Sequence, residues 1–229
     1  MELRCPGCDT DNISRNGKKS NGAQNHLCKA CGRQFIRDDQ RTYIGASPCV
    51  PGLIRTVPAR GNGARDVAAI LRVSVRKVLK TLVSGKYTLK PKPEHYDRLE
   101  INGLWTFVQS KKNRKWLVYA YRRETGEIVA YAWGKRDQKT AGRLKKRLGE
   151  LGVSYDGIAC DEWESFRSAF GDCALLIGKQ HTQWIEGSNC RLRHRIRRAF
   201  RRSCNFSKKL LNHLKAFSLV FHYLNYGWV

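Results

Sequence analysis

Acidic side chains are scarce in this 229-residue chain beside basic ones: 19 Asp and Glu stand against 44 Lys and Arg, a formal net charge of +25. Such an imbalance points to a polyanionic partner. Nucleic acid comes first, because phosphate contacts release counterions and demand little sequence complexity. The stretches before and after Pro93 share the excess, so it is not one basic tail. Long apolar runs are missing too. No stretch approaches the ~18 consecutive apolar residues of a membrane span. Nothing near Met1 has an apolar core behind a short basic start. No membrane partner is expected. Hydrophobic residues still make up 41% of the chain, enough for a real core, and the length admits one large domain or two to three small ones.

Cysteine, by contrast, is plentiful. Of nine, four fall in two CxxC pairs, Cys5-Pro-Gly-Cys8 and Cys28-Lys-Ala-Cys31, with 19 residues between the pairs. A reducing interior favours metal binding over disulfides for such pairs. Each CxxC turn aims two sulfurs at one centre, and two turns make a closed tetrahedral thiolate site for one structural Zn²⁺, of the zinc-ribbon kind. Four unrelated thiols or a redox pair are the alternatives. Residues 1–37 carry too little apolar surface to fold alone, so metal binding and folding are coupled there. Asn12, Arg15, Lys18, Lys19 and Lys29 lie on this ribbon, where DNA or a partner subunit would meet it.

Residues 38–52 are polar and broken by Gly and Pro, with a lone Cys49, and read as a linker. A helical module follows over 53–85. Past the Gly61-Asn62-Gly63 break, Val67, Ala68, Ile70 and Leu71 supply one apolar helix face. Ser74 caps a second helix, whose Val75, Val78, Leu79 and Leu82 continue the core. Two short helices joined by a three-residue turn suit a helix-turn-helix. Its second helix presents Arg76, Lys77 and Lys80 to phosphates or a major groove. A plain helical hairpin with a solvated basic face is the other reading. Residues 86–96 form the next linker.

From Leu99 the apolar period changes to two, and three β-rich runs separated by turns predict an antiparallel meander. Asp137 caps a helix to about residue 151, with Ala141, Leu144 and Leu148 on one face. Then come the apolar run Ile158-Ala159-Cys160 closed by Asp161, a helix near 163–170 and a short strand at 174–177. An Arg-loaded helix from 185 through 202 and a terminal helix near 207–226 finish the chain. This order predicts an α/β multi-domain protein whose residues 97–229 are a ribonuclease-H-like catalytic domain. Asp161 at a strand end and Glu186 on a nearby helix, both among Lys and Arg, either pair with arginines or hold a divalent metal against a phosphate backbone. Helix capping by Asp161 and a dipole-favoured first-turn place for Glu186 are the structural readings. On the helix over 191–202, Leu192, Ile196, Ala199 and Phe200 face the core, while Arg191, Arg195, Arg198 and Arg202 form a stripe. Seven arginines in those twelve positions suit DNA backbone contact. His181 and His194 are rim or surface candidates. Trp105, Trp133, Trp163 and Trp184 read as core or interface residues.

The paired CxxC, the helix-turn-helix, the run Leu99-Glu-Ile-Asn-Gly-Leu-Trp105, the hairpin over 111–121, Cys160-Asp-Glu-Trp163 and Ile185-Glu-x-x-Asn189 with Arg193 follow one another in that order. Over nearly the whole chain they resemble transposases of the insertion sequence 1 family. The resemblance implies a DDE transposase that binds terminal inverted repeats and performs DNA cleavage and strand transfer with up to two Mg²⁺ or Mn²⁺. It also implies double-stranded transposon ends and target DNA as partners, a homodimer or larger assembly, and a prokaryotic cytoplasm at the nucleoid. Asp161 would match the second acid, Glu186 the third, and Arg193 the basic residue that nears DNA phosphate. The first acid falls at Asn102, followed by Gly103 where an acid is common. An amide oxygen ligates metal without charge, so the resemblance implies an impaired enzyme. Glu100 lies on the same strand face, about 6–7 Å away, and is the possible substitute acid. A variant made to trap DNA, a decayed or repurposed copy, rescue by Glu100 and deamidation at Asn102-Gly103 all stay open. The rival function is a catalytically inactive, transposase-derived DNA-binding regulator; a zinc-ribbon protein working through protein contacts is a distant third.

Overall fold

A computed structural model describes residues 3–20, 22–37, 47–199 and 206–229. The chain divides into two compact units, 1–47 and 48–229. In the first, β1 (Ile13–Lys18), β2 (Gln24–Cys28) and β3 (Gln34–Ile36) form an antiparallel sheet in that order. Among the described residues its buried apolar cluster is Cys5, Cys28 and Phe35, with Leu3 and Ile13 packed against it. So small a core does not hold a fold by burial alone, so the cysteines must do more than pack.

The second unit opens with the helical module expected from residue 53, built of three helices: α1 (Val50–Ala59), α2 (Ala64–Ile70) and α3 (Val75–Ser84). α1 begins inside the stretch read as a linker, because Pro51 sits in the first turn, where a missing N–H costs nothing. Ser74 caps α3 as expected, its Oγ accepting from the Lys77 N–H at 3.1 Å. Val50, Ile54, Val67, Val78 and Leu82 share a buried cluster with Leu219 near the chain's end.

The large sheet has the order β6-β5-β4-β7-β8. β4 (His95–Phe107), β5 (Arg114–Arg122) and β6 (Glu127–Gly134) are antiparallel neighbours. β7 (Ser154–Cys160) runs parallel to β4, and β8 (Ala174–Ile177) parallel to β7. β4 starts four residues before the Leu99 alternation, since His95 and Tyr96 pair with Ser154 and Tyr155. α4 (Gln138–Glu150) and α5 (Glu164–Phe170) cover one sheet face through Leu144, Leu148, Phe166 and Phe170. α6 (Gln183–Arg195) and α7 (Leu210–Tyr226) cover the other through Ile185, Leu192, Phe217 and Phe221. Asp137 caps α4, its carboxylate accepting from the Thr140 N–H at 2.9 Å. Among the described residues no helix is long and apolar enough to cross a membrane.

The Arg-rich helix expected to run through residue 202 ends at Arg195. Ile196 leaves the helical region (φ −106°, ψ 87°), and a 3₁₀ turn at Arg197–Ala199 follows. The break redirects the arginines. Arg195 Nη1 donates to the Ala59 carbonyl at 3.2 Å and Arg197 Nε to that of Gly61 at 2.8 Å. Gly61 has φ +100°, and a Cβ there would meet the His194 carbonyl oxygen at 2.9 Å, so the approach needs glycine. Arg198 Nη1 turns inward to the Asn212 carbonyl at 3.0 Å. The expected stripe is therefore not carried on one helical face; Phe200 and Arg202 lie outside the described residues.

Beside Arg198, His213 is fully buried against Trp133 and Phe217. Burial, helped by the Arg198 charge, holds its pKa down from 6.5 to about 4. The unfolded chain thus takes up a proton near pH 6.5 that the folded chain refuses until about pH 4. Stability is full above the upper value and falls as pH drops through that window, by roughly 3 kcal/mol in total. A His213→Phe variant is expected to lose most of this slope in thermal melts across the same range.

Candidate active site and metal centre

The sulfurs of Cys5, Cys8, Cys28 and Cys31 all lie within 4.8 Å of one another. Cys5–Cys31 and Cys8–Cys28 are each 3.6 Å apart. A tetrahedron with Zn–S arms of about 2.3 Å has edges of about 3.8 Å, so the four sulfurs fit one zinc. The Gly7 N–H donates to Cys5 Sγ at 3.4 Å and the Cys31 N–H to Cys28 Sγ at 3.5 Å, dipoles that favour thiolates. Burial works against ionisation of Cys5, yet backbone donors and neighbouring thiols hold it at about 6. Cys8 has a helpful backbone donor at Thr10 but is pushed up to about 12 by burial and the other sulfurs. One thiolate forms readily and the next resists, a repulsion that a dication removes.

In the second unit, the parallel register puts Ile101 opposite Cys160, so Asn102 and Asp161 are the next residues of adjoining strands. Leu99 and Ile101 belong to the α4 face, so alternation turns Glu100 and Asn102 toward α6. Glu100 is only 2% exposed, and its Oε2 accepts from the Ile185 N–H at 2.9 Å. It clamps the first turn of α6, where free N–H groups welcome an anion. Glu186 is the next residue of that turn and is exposed. Tyr119, opposite Asn102 in β5, donates to Asn189 Oδ1 at 3.0 Å and ties α6 a second time. Asn102 is buried, its Oδ1 accepting from the Gly103 N–H at 2.6 Å. Asp161 Oδ1 accepts from the Trp163 N–H at 3.2 Å, and Oδ2 lies 3.8 Å from Arg136 Nη2.

The register and the Glu100 clamp thus bring Asn102, Asp161 and the start of α6 together beside the neighbouring strands β4 and β7. They do not gather three carboxylates. Among the described residues, no group of three His, Cys, Asp or Glu that includes Asp161 or Glu186 has its ligand atoms within 4.8 Å. Asn102, Asp161 and Glu186 offer oxygen donors only, a set that fits a hard divalent ion such as Mg²⁺ or Mn²⁺. The amide at Asn102 leaves that set one charge short, and Glu100 is engaged as the α6 clamp. Burial raises the Glu100 pKa above the ordinary carboxylate value, although the Ile185 N–H opposes it. A raised carboxylate pKa costs stability as pH climbs from the unfolded value through the folded one. Glu100→Gln keeps an acceptor for Ile185 and is expected to melt higher than the parent at neutral pH, with the difference vanishing below about pH 4.

Of the basic residues predicted to meet DNA, Arg76 and Lys80 are exposed on α3 and Lys77 is half-buried. Arg191 Nη2 donates to Tyr121 Oη at 2.8 Å, Arg195 lies over the Tyr223 ring, and Arg193 is half-buried. His194 is exposed, while His181 lines a recess of about 290 Å³ with Glu100 and Arg123. Trp133 packs in the core, but Trp184, read as core or interface, is 53% exposed with the Arg123 guanidinium 5.1 Å from its ring centre. An exposed trio, His95, Asp97 and Asp156, also converges, at the far end of β4 from Asn102. Sequence reasoning missed Arg136; a lone arginine after a strand carries no local signal of what surrounds it.

The family model described as IS1 transposase matches residues 98–227. The chain belongs to the IS1 transposase family. Insertion element IS1 2 protein InsB of Escherichia coli (strain K12) is 35% identical over 126 residues, 55% of this chain and 72% of the relative. Insertion element iso-IS1n protein InsB of Shigella dysenteriae is 35% identical over 116 residues, 51% of this chain and 87% of the relative. Insertion element IS1 protein InsB of Shigella sonnei is 34% identical over 126 residues, 55% of this chain and 92% of the relative. A solved simian T-cell lymphotropic virus intasome in complex with PP2A regulatory subunit B56 gamma aligns at 13% identity, over 70% of this chain and 67% of that one. Its TM-score of 0.38 is too low to bear on function.

Proposed function

We propose that residues 97–229 are a ribonuclease-H-like DDE strand transferase that cleaves and joins double-stranded DNA at the ends of its element, with the helices over 50–84 and the four-cysteine ribbon as DNA-binding modules. The strand order β6-β5-β4-β7-β8, three antiparallel strands followed by two parallel ones, supports that fold reading. The observation that carries the proposal is the neighbouring placement of Asn102 and Asp161, with Glu186 in the helix turn that Glu100 clamps. Asn102, Asp161 and Glu186 would hold the divalent ion, which when bound supplies a Lewis acid and an activated oxygen nucleophile. Glu100 and Tyr119 keep α6, and with it Glu186, against the inner strands β4 and β5. Arg76, Lys77 and Lys80 on α3 would meet the phosphates of the recognised end, and Arg191, Arg193, Arg195 and Arg198 would add positive field around α6. With Asn102 in place the site is one carboxylate short, and the chain binds DNA better than it cuts it. The decisive experiment is strand transfer by the Asn102→Asp form on the element's own ends with Mg²⁺ or Mn²⁺. A catalytically inactive DNA-binding regulator is the second reading, favoured by the amide at Asn102; it predicts DNA binding unaffected by Asp161→Ala and no gain from Asn102→Asp.

A further inference from the structure

The loop between β6 and α4 carries Arg136, and the chain builds a holder for it. Its guanidinium carbon lies 5.2 Å from the ring centre of Trp116, on β5, and 5.2 Å from that of Trp163, just before α5. Its Nη2 stands 3.8 Å from Asp161 Oδ2, too far for a hydrogen bond. Nearly half of the side chain is exposed, along a cavity of about 880 Å³ shared with Asp161, Lys179 and Gln180. Aromatic faces attract a cation through their quadrupole. Two of them hold the guanidinium in place, and its nitrogens remain able to donate. A single exposed ion pair contributes little to stability, so stability is a weak reason for an arginine held near two indoles and one carboxylate.

We infer that Arg136 binds a phosphodiester of the DNA strand in this site. It stands beside Asp161 without a hydrogen bond to it, so its fork can take the non-bridging phosphate oxygens, which it fits two at a time, whether or not a divalent ion holds that carboxylate. The inference deepens the reading of Asp161 as a metal ligand and rests on it. Two opposite consequences separate it from a packing role. Arg136 competes with the ion for Asp161, so its removal tightens ion binding. It also neutralises a phosphate, so its removal weakens DNA binding.

The test uses the full chain carrying Asn102→Asp, alone and with Arg136→Gln or Arg136→Lys. Mn²⁺ binding is titrated directly, and binding of a short duplex with a 3′ single-stranded end is followed across KCl concentrations without metal. Arg136→Gln is expected to bind Mn²⁺ a few fold more tightly, the size of a partly exposed ion pair, and to flatten the logarithmic salt dependence of DNA binding by about one phosphate contact. Arg136→Lys is expected to keep the salt slope but lose affinity, because an ammonium does not make the paired contact. Unchanged Mn²⁺ affinity together with an unchanged salt slope in Arg136→Gln overturns the inference. If that variant does not fold, Trp116→Leu, which frees the guanidinium and keeps its charge, should lower DNA affinity at constant slope; no change there overturns it equally. Mn²⁺ binding that survives Asp161→Asn would instead count against the metal-site reading, and the metal-free salt slope then decides the role of Arg136 by itself.

Discussion

Replacing Asn102 with aspartate is expected to raise divalent-ion-dependent strand transfer by a factor on the order of 10²–10⁴, several kcal/mol of barrier. The position is buried in the central strand and adjoins Asp161. An amide there donates one neutral oxygen, and that oxygen already accepts the Gly103 N–H. A carboxylate would add the missing charge to the ion's oxygen shell. Before metal binds, however, the substitution places a second acid beside Asp161, and two close carboxylates resist joint ionisation. The aspartate form should therefore melt lower than the parent in chelator and gain stability when Mg²⁺ or Mn²⁺ is added, by linkage to the bound ion. The parent should show little of that gain. Joining assays on the element's own ends and thermal melts with and without metal read the two effects separately. A folded Asn102→Asp protein with neither strand transfer nor metal-dependent stabilisation would sink the nuclease reading and leave the DNA-binding regulator.

Stripping zinc from the ribbon is the second large effect. Apparent free energies of structural zinc binding are on the order of 10–16 kcal/mol, while the apolar core around Cys5, Cys28 and Phe35 is far smaller than a domain needs. A strong chelator, or Cys5→Ser, is expected to unfold residues 3–37 and to leave the melting of the second unit unchanged. Hydrogen exchange resolved by segment checks this: protection in β1–β3 should vanish with the metal and return with one Zn²⁺ per chain. If protection in β2 persists in chelator, at the same level as with zinc, the four cysteines are not a metal site. DNA affinity measured on the same samples reports how much the ribbon contributes to it.

Much of the scaffold was legible because its signals are local. Ser74 and Asp137 announce helix starts through side chains that bond backbone N–H groups three residues on. The Ala174–Ile177 strand and the three-run meander show in the period of their apolar residues. The first residues of α1 were hidden by Pro51 and Gly52, which look like breakers unless the helix is known to begin at Val50. The arginine helix misled for a related reason. Periodicity continues past Arg195, but the backbone turns aside at Ile196, where Arg195 and Arg197 bond carbonyls of Ala59 and Gly61 more than 130 residues away.

By itself, the sequence determined the basic charge, the four-thiol spacing, the order of strands and helices, and the motifs that mark an IS1-family transposase. All of these are properties of composition or of neighbours along the chain. Only the tertiary structure decided that Glu100 holds the α6 N-terminus, that Asn102 lies beside Asp161, and that Arg136 stands between two indoles facing that acid. Those outcomes depend on strand register and on side chains converging from distant segments, where no window of sequence periodicity reaches.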